Sequence, residues 1–265
     1  MPMLAGAACI KHGAIEFKLF PRNSSGQQPA PKGAEVAGRV RNENAPLPPQ
    51  GLRARIVGGR IYISISGVHG IGKSLVARML ANRNGWEYSP ESVDNVIRPP
   101  RFGPRSSEKL LAELWHMRQL MKREEWLAKN REEVCISDRW WQDVVVYSRV
   151  LLNAKEYRIV ENVVSWIPKM QPDLEIVLWA PQDEVFKRVG QRGRDKGVTW
   201  GEKDLKYMRE LNTGFRNYYD ASMELRNVAL VEAQPVIEDT YKLVRKAVTK
   251  YVRDSKQQTL EEFEK

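Results

Sequence analysis

The sequence predicts an α/β protein: a doubly wound, five-stranded parallel sheet with helices on both faces. Three observations predict it. From Arg60 onward, short β-branched runs alternate with longer amphipathic stretches, as in a mostly parallel sheet. The first run, Ile61-Tyr-Ile-Ser-Ile-Ser66, leads at once into Gly67-Val-His-Gly-Ile-Gly-Lys73-Ser74 and then into the helical pattern Leu75-Val-Ala-Arg-Met-Leu-Ala81. The 265 residues are 42% apolar and 29% charged, enough to bury a sizeable core. No run reaches the roughly 18 apolar residues of a membrane span.

Taken in order, the first strand covers 61–66 and its helix 73–83, with Asn84-Gly85 as the helix stop. A short strand follows at Trp86–Tyr88. Four prolines between 90 and 104, with Arg98, Arg101 and Arg105, read as a substrate-side loop. Ser106-Ser107-Glu108 caps a long helix to Asn130, with Leu110, Leu111, Leu114, Met117, Leu120, Met121 and Trp126 as its buried stripe. A strand at Val134–Ser137 precedes helices at 141–152 and 155–167. Leu174–Trp179 is the next strand and Glu184–Gln191 a helix. After the basic turn Arg192-Gly-Arg-Asp-Lys-Gly197, a helix at 201–224, a strand at Val228–Val231 and a helix at Val236–Val252 close the domain.

Residues 1–58 are rich in Gly, Pro, Ala, Ser and Gln without a sustained period. They read as a disordered basic extension, or as a start placed too early, ahead of a domain at 59–253 and a tail at 254–265. The first 60 residues hold nine Lys/Arg against three acids, so they carry most of the net charge of +10. A cleft lined with arginine accounts for the rest, without a nucleic-acid surface on the core. Two cysteines, Cys9 and Cys135, give no disulfide framework and suggest a reducing, cytoplasmic setting. The three histidines at 12, 69 and 116 lack metal-ligand spacing.

Strand, glycine turn and helix, with G-x-x-x-x-G-K-S at the junction, is the context of a phosphate-binding loop, so the fold is of the P-loop NTPase type. Backbone N–H groups turn around an anion, the helix start adds its positive end, and Lys73 adds a charge. The donor-binding residues are then Gly67, His69, Gly70, Ile71, Gly72, Lys73, Ser74 and Leu75, with Ser74 a ligand for magnesium. Phosphoryl transfer also asks for a carboxylate and further cations nearby. Asp138, at the carboxyl end of a strand beside the loop strand, can hold magnesium through water or polarise the acceptor. Arg139 can grip an acceptor phosphate. Arg188, Arg192, Arg194 and Lys196, interrupted by Gly193 and Gly197, can form a mobile lid.

At these residues the chain resembles the thymidylate kinase family, in the wider group of nucleoside and nucleotide kinases. The pattern D-R-Y-x-x-S-x-x-A-Y-Q finds Asp138, Arg139, Trp140 and Tyr147, with Asp143 and Ser148 where Ser and Gln are usual. The later pattern, P-D-L, a strand, then E-x-x-x-x-R-x-x-x-R-G-R, finds Pro172-Asp173-Leu174 and Asp183, Arg188, Arg192, Gly193 and Arg194. The likeness covers about 61–225. It implies transfer of phosphate from ATP to dTMP with magnesium held by Ser74 and Asp138, with Lys73, Asp138, Arg139, Arg192 and Arg194 as catalytic residues. Gly70 stands where some members carry arginine, so the lid supplies the transition-state charge. Dimers are common in the family, which implies a homodimer.

The departures all fall on the acceptor side. His69 replaces the loop aspartate, and Ser89-Pro90-Glu91 replaces a Glu-Pro turn. Arg118 matches a base-binding arginine only with a one-residue shift. Glu91, Arg118, Arg139, Trp140 and Tyr147 are therefore the acceptor-binding candidates. Glu91 resembles the general base of deoxynucleoside kinases about as well as the thymidylate turn, which makes deoxynucleoside phosphorylation the nearest alternative. At the end, Lys256-Gln-Gln-Thr-Leu-Glu-Glu-Phe263 resembles a sliding-clamp (PCNA) binding peptide, with Gln257, Leu260 and Phe263 as contacts. A clamp-tethered P-loop NTPase acting at DNA is the reading this adds; a helix end packed on its own domain is the plainer one.

Overall fold

The structure, a computed structural model, describes residues 60–91, 99–129, 133–191, 201–224 and 227–263, with the backbone alone at 191 and 255–263. The extension expected at 1–58 lies outside them. The element order is β1 (Ile61–Gly67), α1 (Lys73–Asn84), β2 (Glu87–Ser89), α2 (Lys109–Lys129), β3 (Val134–Asp138), α3 (Trp141–Leu151), α4 (Ala154–Trp166), β4 (Leu174–Trp179), α5 (Gln182–Gln191), α6 (Leu205–Ser222), β5 (Val228–Glu232) and α7 (Ile237–Phe263).

The five strands form one parallel sheet in the order β2-β3-β1-β4-β5. β1 is central and every one of its residues is buried, which suits its unbroken apolar and small-residue run. The helices fall into two groups, α1 with α7 and α2, α3 and α4 with α6, each packed against strands. Ile65 of β1 lies in register with Asp138 of β3, so the glycine loop and the Asp-Arg pair leave the sheet side by side. The Arg139 N–H seals that junction on the Ile65 carbonyl at 2.9 Å. Ligands of such sheets gather at these carboxyl ends.

Local chemistry sets the ends of the elements. Gly85, at φ 67°, closes α1 with its N–H on the Ala81 carbonyl. The Trp86 N–H bonds the same carbonyl, so β2 starts one residue later than predicted. Asn153 and Glu156 form a reciprocal cap on α4. α7 runs to Phe263, past the predicted end at Val252, because no glycine or proline interrupts it. Gln257, Leu260 and Phe263 thus sit on the last turns of that helix, and their side chains lie outside those described.

The buried face of α2 differs from the predicted stripe. Leu111, Leu114 and Met121 are exposed, while Glu113, Gln119 and Arg123 are buried among Ala112, Trp115, Met117, Leu120 and Leu127. The helix is rotated to bring polar groups inward, and two of them, Glu113 and Arg123, line a cavity.

Candidate active site

The donor side is a loop packed from three directions. A Cβ on Gly67 would stand 2.6 Å from the Leu178 carbonyl oxygen of β4, and at φ 143° a side chain is disfavoured anyway. Gly72, at φ 109°, opens α1. Ile71 is buried, Ser74 half-buried and Leu75 exposed. Lys73 is only 5% exposed and its ammonium bonds the Val68 carbonyl at 3.0 Å. Burial, helped by Arg139 and opposed by Asp138, Asp143 and Glu91, pulls its pKa down to about 8. His69 turns toward the acceptor side: its ring meets Tyr147 and Phe102 edge to face at 4.7 and 5.6 Å, and its Nε2 lies 3.2 Å from the Tyr207 hydroxyl.

Beside the loop lies a cleft whose wall is drawn from the end of β2, the loop before α2, α2 itself, and the β3–α3 junction. Arg139 sits in its wall at φ 70°, a left-handed conformation that a branched or bulky residue rarely adopts. Its Nε lies 2.8 Å from Glu91 Oε1 and its guanidinium stacks 4.7 Å over the Tyr147 ring. Burial pushes the Glu91 pKa up, but its charged neighbours, Arg139 above all, outweigh it and hold it below its ordinary value. His116, 4.0 Å from Glu91, is pulled down to about 4, chiefly by burial, so it is neutral.

Arg123 organises this wall without offering its charge to it. It donates to the carbonyls of Pro90 (2.6 Å), Asp138 (2.9 Å) and Arg139 (2.6 Å), clamping the Glu91 turn to the Asp-Arg pair. Asp143 caps the start of α3. Its Oδ2 accepts from the Trp140 N–H at 3.1 Å and the Ser66 hydroxyl at 2.7 Å, and Ser66 also lies 3.0 Å from Glu175. Trp140 lines the cavity while its indole donates to the Met170 carbonyl at 3.1 Å.

Lys73, Asp138, Arg139, Glu91, Trp140 and Tyr147 therefore converge, joined through His69. Arg118 does not line the cavity: two positions from both His116 and Leu120, it points about 200° around the helix from each of them. Arg188 is engaged elsewhere, bonding Glu184 at 2.9 Å, the Ile71 carbonyl at 3.0 Å and the Gln234 carbonyl, so it clips α5 to the glycine loop rather than facing open space. Arg192, Arg194 and Lys196 lie outside the described residues. Sequence reasoning missed Glu113, His116 and Arg123 as pocket residues. Their spacing of three and seven, in phase with Leu120 and Leu127, was the available signal: charged groups on a buried helical stripe.

Among the described residues no cluster of three or more His, Cys, Asp or Glu could hold a metal. A magnesium shared with bound phosphates needs less protein, and the residues fit it. Asp138 is 2% exposed, and its Oδ1 has no hydrogen-bond partner although it is buried beside the loop that presents Ser74. Among the described residues no helix is long and apolar enough to cross a membrane.

No curated protein matches the chain. Solved structures of similar fold include deoxyadenosine kinase from M. mycoides with products dCMP and a flexible dCDP bound, at 18% identity and a TM-score of 0.60, covering 72% of this chain and all of that one. The same enzyme with bound dATP gives 18% and 0.56 over 71% of this chain, and with bound dCTP 18% and 0.57 over 72%, again covering all of the other chain. The model of the deoxynucleoside kinase family matches residues 63–255. That span begins in β1, ends in α7 and takes in the glycine loop, the Asp-Arg pair and the whole cavity wall, so the chain is a phosphotransferase that belongs to the deoxynucleoside kinase family.

Proposed function

We propose that the protein moves the γ-phosphoryl group of ATP to the 5′-hydroxyl of a 2′-deoxynucleoside. The observation that carries this reading is the Glu91–Arg139 pair at 2.8 Å inside the cavity. A monophosphate acceptor such as dTMP would need Arg139 as a free cation, but Glu91 already neutralises it, and an anion would be repelled by that carboxylate. A nucleoside brings no charge, and its hydroxyl needs a base, which an ionised Glu91 provides. Glu91 takes the proton as the 5′-oxygen forms its bond to the γ-phosphorus; the bond from that phosphorus to the bridging oxygen breaks and ADP leaves. Lys73 and the loop amides hold the β- and γ-phosphates, and Arg139 steadies the carboxylate and the reacting oxygen. Magnesium, held by Ser74 and Asp138 when bound, supplies further charge neutralisation. Arg192 and Arg194 are the candidates to meet the charge that develops on the donor. The deoxynucleotides bound to the M. mycoides enzyme of similar fold support a nucleotide ligand here.

Purified protein with ATP, tried against the four common deoxynucleosides and their monophosphates, tests the reading. Phosphorylation of at least one nucleoside is expected; turnover of dTMP with no nucleoside accepted would replace it with the thymidylate kinase reading.

A second copy of the chain is the proposed partner. Leu111, Leu114 and Met121 on α2 and Ile159, Val163 and Trp166 on α4, two helices packed together, leave one apolar face in water, with Trp166 80% exposed. A homodimer by sedimentation that Trp166→Glu splits is the expected result. Clamp binding through Gln257, Leu260 and Phe263 is the remaining proposal, and Phe263→Ala should abolish it in a pull-down.

A further inference from the structure

We infer that Gly201, just ahead of α6, and Tyr207, in its first turn, are positioning residues for the acceptor. Neither lines the cavity, yet together they set where its Phe102 and Tyr147 rings stand. This rests on the functional reading above only for which pocket takes the acceptor.

The first contact is steric. Gly201 has φ 76°, and a Cβ there would stand 2.2 Å from Cδ of Pro104 and 3.1 Å from a ring carbon of Tyr207. The head of α6 thus packs without slack on the loop before α2, and only a bare backbone at 201 leaves room. Pro104 stands two residues after Phe102, whose ring lines the cavity 5.8 Å from that of Tyr147. The loop is braced on both sides of them. The Ser106 hydroxyl donates to the Arg101 carbonyl at 2.7 Å, the Glu108 carboxylate accepts the Arg101 N–H at 2.7 Å, and the Ser106 N–H bonds the Gly103 carbonyl at 3.1 Å. A push at Pro104 is therefore passed on to Phe102.

The second contact is polar. Tyr207, 3% exposed, holds its hydroxyl 3.2 Å from Nε2 of His69, while Nδ1 of the same ring lies 3.5 Å from Nη2 of Arg139. Arginine can only donate, which assigns the acceptor role to Nδ1 and the ring hydrogen to Nε2, aimed at the tyrosine oxygen. The imidazole held this way meets both cavity rings edge to face, Tyr147 at 4.7 Å and Phe102 at 5.6 Å. Asp204 joins the two contacts. Its side chain accepts the Tyr207 N–H at 3.0 Å and its own N–H bonds the Gly201 carbonyl at 2.9 Å, so Gly201 and Tyr207 move as one turn.

Steady-state kinetics of the full chain test this, with magnesium, ATP and the fastest acceptor among the four common deoxynucleosides and dTMP. Tyr207→Phe should raise the KM of the acceptor about fivefold and leave that of ATP within about twofold. Gly201→Ala should raise the acceptor KM about tenfold or more. Adding Pro104→Ala to it should recover most of that loss, because the ring carbons that the new methyl meets are gone, whereas backbone strain at 201 would persist.

An acceptor KM unchanged in both single variants would overturn the inference, and so would an equal rise in both KM values, the mark of general loosening. Additive effects of Gly201→Ala and Pro104→Ala would overturn the steric half. If Gly201→Ala does not fold, the contrast between acceptor and ATP in Tyr207→Phe decides alone. Should dTMP prove the only acceptor, the nucleoside reading fails, and the same contrast measured with dTMP still decides this inference.

Discussion

The donor loop and the acceptor cavity lie side by side but are built in different ways. Nine consecutive residues, Gly67–Leu75, make the loop, and its shape follows from glycines, one turn and one helix start. The cavity is assembled from Glu91, Phe102, Glu113, His116, Arg123, Arg139, Asp143 and Tyr147, which come from four separate segments. A loop of that kind can fail chemically while the fold stands. A cavity of that kind fails structurally when the side chain that ties its segments is lost.

The largest expected effect tests the first half of that contrast. Lys73→Ala should cut kcat by about 10³ or more, since the ammonium that meets the phosphates is gone. The melting temperature should hold or rise, because a buried ammonium is removed. A large drop in stability would show that the loop is not independent of the scaffold.

Arg123→Met tests the second half. Three buried carbonyls lose their donor, which should cost roughly 3 kcal/mol or more in chemical denaturation. Activity should fall as well, although Arg123 touches no reacting atom in the proposed mechanism. A stable, inactive variant would recast Arg123 as a direct contact to the acceptor.

Glu91→Gln should lower kcat by about 10², with a loss of stability because the buried Arg139 keeps its charge without its partner, and the rising acid limb of the pH–rate profile should vanish. Retention of that limb would assign it to another group.

Glu113 gives a smaller, pH-dependent effect. In the fold it keeps its proton up to about pH 8, against an ordinary value of 4.5. Between those values the unfolded chain binds fewer protons than the native one, so stability falls as pH rises. Glu113→Gln should flatten that slope and raise stability at pH 8 by about 1–3 kcal/mol, read from denaturation at pH 5 and 8.

The smallest effect returns to the loop. A triphosphate restores the charge that burial disfavours on Lys73, so nucleotide binding near pH 8.5 should take up part of a proton. Calorimetry in buffers of different ionisation enthalpy measures it, and Lys73→Ala should abolish it.

The same contrast explains what could be read from the sequence. The succession of strands and helices, the glycine loop and the Asp138–Arg139 position rest on local patterns, and β3 does lie beside β1 as expected. α2 was harder, because periodicity counts Leu111, Leu114 and Met121 as core, whereas the fold exposes them and buries Glu113 and Arg123. Hydrophobic phase is a poor guide where a helix faces a polar cavity instead of a sheet. Arg118 was picked by its spacing along the chain, whereas the side of the helix decides which residues of α2 line the cavity, and it is not among them. The alternative acceptor class, carried by Glu91 alone in the sequence, gained its support from a partner 48 positions away that only the folded chain brings near.

Position 139 makes two demands that no single residue meets well. Its backbone, at φ 70°, is most at ease with glycine, while Glu91 requires a cation. An exchange that relaxes the main chain therefore disarms the cleft, and lysine keeps the charge but loses the planar stack on Tyr147. Random drift has no downhill route away from arginine here, so laboratory evolution for heat resistance should leave this codon untouched even as its neighbours change.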